Sequence, residues 1–240
     1  MKIVAIVQAR MGSTRLPGKV LRDLAGKRMI ERVLERVRRA DSVDEVVVAT
    51  SDLPGDDPLA GWLAASHHAC LRGSEQDVLA RFSGAAAQTG ADAIVRITAD
   101  CPLIDPGVID DVVAAFRAGP FDYASNVLPR RTFPRGLDTE IFTRTALEIC
   151  AREATDASSR EHVTPFIHRH PERFSLHGIE ADADYSGHRW TVDTPEDFAL
   201  IEKIYSALGE ACFSWKDVLR VLGENPAWSE INRHIAQKTA

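Results

Sequence analysis

Cysteine is scarce and scattered in this chain of 240 residues. Cys70, Cys101, Cys150 and Cys212 form no Cys-x-x-Cys pair and no cysteine/histidine zinc spacing. That argues against a disulfide scaffold and a zinc module, and free thiols in a reducing compartment are expected. No apolar run approaches the roughly 18 residues that suggest a membrane span. Met1 to Val7 has the look of a secretion signal, but the run stops at Gln8 and Arg10 without a small-residue cleavage site. It reads as a first strand, in a protein of the cytoplasm. Positive charge is not in excess: the net charge of -6 argues against general nucleic-acid binding. Also missing are the GxxxxGK[ST] phosphate loop and the GxGxxG dinucleotide fingerprint. There is no internal repeat, no low-complexity tract and no linker, so one domain over residues 1–240 is expected. With 45% hydrophobic and 27% charged residues, the chain has enough apolar material for a sizeable core.

What is present alternates. Ile3 to Val7 is a continuous β-rich apolar run, as a strand covered on both faces should be, Val46 to Thr50 is a second buried strand and Ala93 to Ile97 is another strand. Between them, Met29, Ile30, Val33, Leu34 and Val37 recur at helical spacing, and Gln76 to Gln88 is also helical. Arg32, Arg36, Arg38 and Arg39 are expected on the wet face of the first of these helices. Such alternation means a mainly parallel, Rossmann-like sheet in a three-layer α/β/α sandwich. The second half is less regular. Strands are expected at Asp122 to Val127, Phe174 to Ile179 and Arg189 to Val192. Helices are expected at Thr143 to Ala154, Glu161 to Arg169, Pro195 to Leu208 and Trp215 to Leu222. Ligands of such sheets bind beyond the carboxyl ends of the strands, so the loops there carry the chemistry.

The loop after the first strand, Gln8 to Lys19, holds Arg10, Arg15 and Lys19 together with Gly12 and Gly18. Its backbone amides can approach an anion, its arginines offer planar forks and its lysine a compact charge. The bland alternative is a basic surface turn. Two carboxylates lie at expected strand ends: Asp100, in Asp100-Cys101-Pro102, and Asp193, in Trp190-Thr191-Val192-Asp193. Two aspartates plus phosphate oxygens and waters suit Mg²⁺. Asp100 is equally able to begin a turn, and either Asp193 or Thr194 to cap the helix that follows.

The pattern R-x-x-S-x-R-L-P-x-K, matched by Arg10, Ser13, Arg15, Leu16, Pro17 and Lys19, resembles the signature of the acylneuraminate and Kdo cytidylyltransferases. The branch it is most similar to is that of spore coat polysaccharide biosynthesis protein F. The resemblance implies a magnesium-dependent enzyme that uses CTP to activate a sugar, an acidic 2-keto sugar of the sialic, legionaminic, pseudaminic or Kdo kind. It implies that Arg10, Arg15 and Lys19 hold the triphosphate with help from Ser13, that Asp100 and Asp193 bind metal, and that the enzyme is a homodimer. It also implies a nucleotide-pocket role for Arg72 and Ser74, with Asp77 near them. On its own residues, Ser74 reads as a helix cap. Sugar contacts are sought among Arg130, Arg131, Arg135, Asp138, Glu140, Arg160 and His162. The spacing of His162, His168 and His170 fits no common zinc pattern. Two other readings remain. One is a glycosyltransferase using Asp182-Ala183-Asp184 as a D-x-D pair. The other is a non-catalytic nucleotide-binding protein of the same fold.

Overall fold

The computed structural model describes residues 1–209 and 212–236. Its central sheet has seven strands. β1 (Ile3–Gln8) lies at its middle, paired in parallel with β4 (Glu45–Ser51) and with β6 (Ala93–Thr98). β5 (Cys70–Gly73) extends the parallel half beyond β4. On the other side β8 (Glu140–Thr143) runs antiparallel to β6 and to β7 (Tyr123–Ser125), and β9 (Leu176–Gly178) closes the edge parallel to β7. A separate hairpin pairs β2 (Asp23–Leu24) with β3 (Lys27–Arg28).

Strand alternation sends successive residues of β1 to opposite layers. Ile3, Ala5 and Val7 pack in one apolar cluster with α1 (Met29–Val37), α2 (Asp57–Ala65), α4 (Pro106–Arg117), α8 (Pro195–Leu208) and α9 (Trp215–Glu224). Val4 and Ile6 pack in the other with α3 (Val78–Thr89), α5 (Arg144–Glu153) and α7 (Pro165–Arg169). α6 (Ala157–His162) and the short α10 (Pro226–Ser229) complete the set. The expected three-layer, mostly parallel sandwich is therefore what the chain forms.

Several local expectations fail for physical reasons. Residues 189–192 are not a strand: a single bridge, Arg135 to Arg189, is all the pairing they make with a sheet-like partner. The antiparallel strand β8 was not expected at all. The helix expected over Glu161 to Arg169 is two helices, broken at Val163, whose φ is +73°, and restarted by Pro165. α3 is capped by Asp77, whose carboxylate accepts from Ala80 N at 2.9 Å, and not by Ser74. Most instructive are Arg32 and Arg36, which are 4% and 3% exposed and not on a wet face. Arg36 donates to the carbonyls of Ile104 and Phe213, stands 3.6 Å from Asp105 and stacks on the Phe213 ring. Arg32 donates to the carbonyls of Leu24 and Ala25 and lies over Tyr205. Guanidinium groups are buried here because peptide carbonyls and aromatic faces replace water on every side. Only Arg38 and Arg39 face solvent.

Candidate active site

β1 delivers the chain into the loop of residues 9–18. That loop is pinned by Asp56, which accepts from Met11 N at 2.6 Å and also holds Ser51 N and Oγ. It is closed by Gly18 N donating to Met11 O at 3.1 Å. Gly18 takes φ +68°, a left-handed conformation that suits glycine, and so turns the chain into a short 3₁₀ turn, Lys19–Leu21. The turn carries Lys19 inward, to 8% exposure.

Lys19 Nζ donates to Asp100 Oδ2 at 3.3 Å, to Asp193 Oδ1 at 3.0 Å and to Val192 O at 2.6 Å. Its three protons thus meet three acceptors drawn from two distant parts of the chain. Burial alone would pull the Lys19 pKa down; Asp100 and Asp193 outweigh it, and the pKa lies above its ordinary 10.5. Burial likewise pushes Asp193 up, but Lys19 and Arg15 win and hold it below 3.8. Arg15 Nη2 is 3.0 Å from Asp193, and Arg189 Nη2 donates to it at 2.9 Å.

Asp100 lies two residues beyond β6. Asp193 reaches it without a strand, through a clasp of backbone bonds: Val192 N to Asp100 O at 2.8 Å, Trp190 N to Arg135 O at 2.7 Å and Arg135 N to His188 O at 3.0 Å. Gly136, with φ +104°, makes the clasp possible, since a Cβ there would stand 2.7 Å from the Trp190 carbonyl carbon. Below the clasp, buried Asp197 accepts from Arg189 Nε, Asn232 Nδ2 and the amides of Asp193 and Thr194. Thr194, not Asp193, caps α8 in a reciprocal box with Asp197. The Asp193 carboxylate is thereby left to the site.

These groups edge a cavity of about 620 Å³. Arg10, Ser13, Arg15, Lys19, Asp100 and Asp193 all line it. Of the residues considered for sugar contact, Arg135, Asp138 and His162 line it too, whereas Arg130, Arg131, Glu140 and Arg160 do not. Arg130 is with Glu180, Arg131 grips Asp138, Arg160 pairs with Asp77, and Glu140 is buried against Arg96, Tyr123 and Thr164. Arg72 and Ser74 are not among the lining residues. Arg72 donates to the carbonyls of Ser51 and Leu53 and pairs with Asp57 at 2.7 Å, and Ser74 Oγ accepts from Asp77 N. Among the polar residues of the cavity given no role in the sequence are Gln8, Arg81 and Arg96. For Arg96 a signal existed. It is the one charge in the otherwise apolar or neutral β6 sequence AIVRIT, where a buried strand should hold none.

No group of three or more histidine, cysteine or acidic side chains able to hold a metal occurs among the described residues. Asp100 and Asp193 converge on one nitrogen, however, and supply two hard oxygen donors beside a cavity open to phosphate oxygens and water. That fits Mg²⁺, which takes one or two carboxylates and fills its octahedron from substrate and solvent. Asp182 and Asp184, the alternative pair, are exposed and lie outside the cavity.

A family model for cytidylyltransferases matches residues 4–222. The chain belongs to the cytidylyltransferase family. It is 34% identical over 232 residues to spore coat polysaccharide biosynthesis protein SpsF of Bacillus subtilis, covering 93% of this chain and 95% of that one. A cytidylyltransferase structure from Leptospira borgpetersenii superposes with a TM-score of 0.91 at 33% identity, over the whole of both chains. The fold is also that of a CMP:2-keto-3-deoxy-manno-octonic acid synthetase solved with CTP, with a TM-score of 0.68 at 20% identity over 87% of this chain and all of that one. In this cytidylyltransferase, then, the loop of residues 9–18 follows the central strand β1 and Asp100 follows its neighbour β6.

Proposed function

We propose that this cytidylyltransferase transfers the cytidylyl group of CTP to a sugar hydroxyl and releases pyrophosphate. The observation that carries the reading is the Lys19 ammonium, held between Asp100 and Asp193 with Arg15 alongside, at the edge of a cavity also lined by Arg10 and Ser13. A fold does not need so many charges in one cleft, but a triphosphate does. Arg10 and Arg15 bind phosphate oxygens through their forks, and Lys19 adds a compact charge. The hydroxyl oxygen attacks the α-phosphorus in line. The bond to the sugar oxygen forms as the bond to the β-phosphate bridging oxygen breaks, that electron pair leaves with pyrophosphate, and the hydroxyl proton passes to water. Positioning and charge neutralisation do the catalytic work. Mg²⁺, held by Asp100 and Asp193, would neutralise charge on the phosphate oxygens.

The sugar is an acidic 2-keto sugar destined for a surface polysaccharide. The relatives support this: one is named for spore coat polysaccharide biosynthesis, and a structural neighbour is named for a 2-keto-3-deoxy acid. Within the cavity Arg135 supports it as well. Its pKa is lowered by burial and by Arg131, as befits a cation awaiting an anion. A pyrophosphate-release screen of four nucleoside triphosphates against a panel of nonulosonic acids and Kdo tests the reading. CTP with one of these acids should give turnover. Release with a purine nucleotide alone, or a neutral sugar preferred over every acid, would overturn it.

A further inference from the structure

Arg81 is the cation of the cavity that the reaction leaves unexplained. It projects from α3, is 3% exposed, and lines the cavity, yet its Nε and Nη1 are buried without a hydrogen-bond partner. Buried charged donors are normally satisfied, and one that is not points to a ligand that completes it. Its stem is pinned: a Cβ on Gly73, at the end of β5, would lie 3.0 Å from Arg81 Cγ.

The surrounding charge says which part of a nucleotide it meets. Burial lowers the Arg81 pKa and so does the charge of Arg10, whereas Asp56, Glu75 and Asp52 act to raise it. One cation and three carboxylates therefore share its surroundings. A phosphate arriving there would face those carboxylates, while a neutral acceptor would not. The phosphates have Arg10, Arg15 and Lys19. What remains for Arg81 is the base. Gln8 Oε1, at the end of β1, is a second buried atom without a partner on a residue lining the same cavity, and it is an acceptor.

We propose that Arg81 reads the pyrimidine, donating to the O2 and N3 acceptors of cytosine while the Gln8 side-chain oxygen accepts from the exocyclic amine. The assignment rests on the CTP reading above and gives Arg81 the role that Arg72, engaged with Ser51, Leu53 and Asp57, does not fill. Uracil carries N3–H where cytosine has a lone pair, and two N–H groups facing each other repel. Discrimination against UTP follows from that geometry.

The test titrates the wild-type enzyme, Arg81→Lys and Arg81→Gln with CTP, UTP and 3-deaza-CTP, which lacks the N3 acceptor. Wild type should bind 3-deaza-CTP and UTP about tenfold or more weaker than CTP, the scale of one good bidentate base contact. In both variants CTP should fall to the wild-type level of 3-deaza-CTP or below, while UTP, which loses only the O2 contact, falls less, so that the preference for CTP disappears. Variants that keep the full CTP preference overturn the proposal. So does a wild-type enzyme that binds CTP but does not distinguish 3-deaza-CTP, a comparison that decides the matter even if the variants fail to fold. Absence of CTP binding by wild type would instead sink the function reading itself.

Discussion

Lys19 is tied to both carboxylates and to a backbone carbonyl, so its removal acts on the site in two ways. It deletes a positioned charge and takes away the ammonium that bridges Asp100 and Asp193, leaving Asp193 with Arg15 and Arg189 alone. We expect Lys19→Ala and Arg15→Ala each to lower turnover roughly 10²-fold or more, the scale of losing one positioned electrostatic group. Pyrophosphate release at saturating substrates measures it, with circular dichroism to verify the fold. The same contacts set an acid limb of stability. Asp193 is depressed below 3.8, first against burial and then by Lys19 and Arg15. A depressed carboxylate stabilises the fold above its unfolded pKa, and that contribution is lost as pH falls through the folded one. Asp193→Asn should therefore flatten the fall in melting temperature below about pH 3.8 relative to wild type. An unchanged acid limb would show that the Asp193 ion pairs contribute nothing to stability.

Elements decide whether Asp193 is a ligand or a cap. Thr194 caps α8, so asparagine at 193 costs the helix little, and any change in magnesium requirement reports on the site. A magnesium titration of Asp193→Asn activity should shift to higher concentration; a curve superimposed on wild type would leave Asp100 as the sole protein ligand. Gly136 tests the clasp in the same currency. Alanine there must take φ +104° and push against the Trp190 carbonyl, so Gly136→Ala should destabilise by more than about 1 kcal/mol and also raise the magnesium requirement. Thermal melts and the same titration check both halves. This element was the hardest to read beforehand. The three central strands were legible from their apolar, β-rich residues, and α8 from its proline start after a cap at Asp193 or Thr194. Residues 189–193 looked like a strand because Trp-Thr-Val is β-prone, yet tertiary bonds to Asp100 and Arg135 hold them extended with almost no ladder. β8 went unseen because four residues running straight into α5 carry too little periodicity of their own.

At the scale of the whole molecule, Arg36 shows what a single-sequence reading misses. Helical spacing placed the apolar stripe of α1 correctly, but periodicity is silent on whether a charged neighbour finds carbonyls to bond. Arg36 joins α1 to the loop after β6 and to the segment before α9, through Ile104, Asp105 and Phe213. Arg36→Ala leaves the buried carbonyls of Ile104 and Phe213 without their donor and takes the cation from beside Asp105, which keeps only the amides of Gly107, Val108 and Trp215, so it should cost about 3 kcal/mol in urea unfolding while leaving the remaining folded enzyme active. A loss below about 1 kcal/mol, the worth of a surface pair, would contradict the burial described. The phosphate loop itself was legible as a motif. Arg81 was not, because an arginine inside a helical run carries no mark of which way it will turn. The clasp between Val192 and Asp100 bears finally on how the enzyme is born. The loop of residues 9–18 leaves the ribosome ahead of Asp100, which follows about ninety residues behind Arg10. The two stay without their third charged partner until synthesis has passed Asp193. A nascent chain can thus pair β1, β4 and β6 before Lys19, Asp100 and Asp193 can meet, so the charges of the cavity gather only after the centre of the sheet exists.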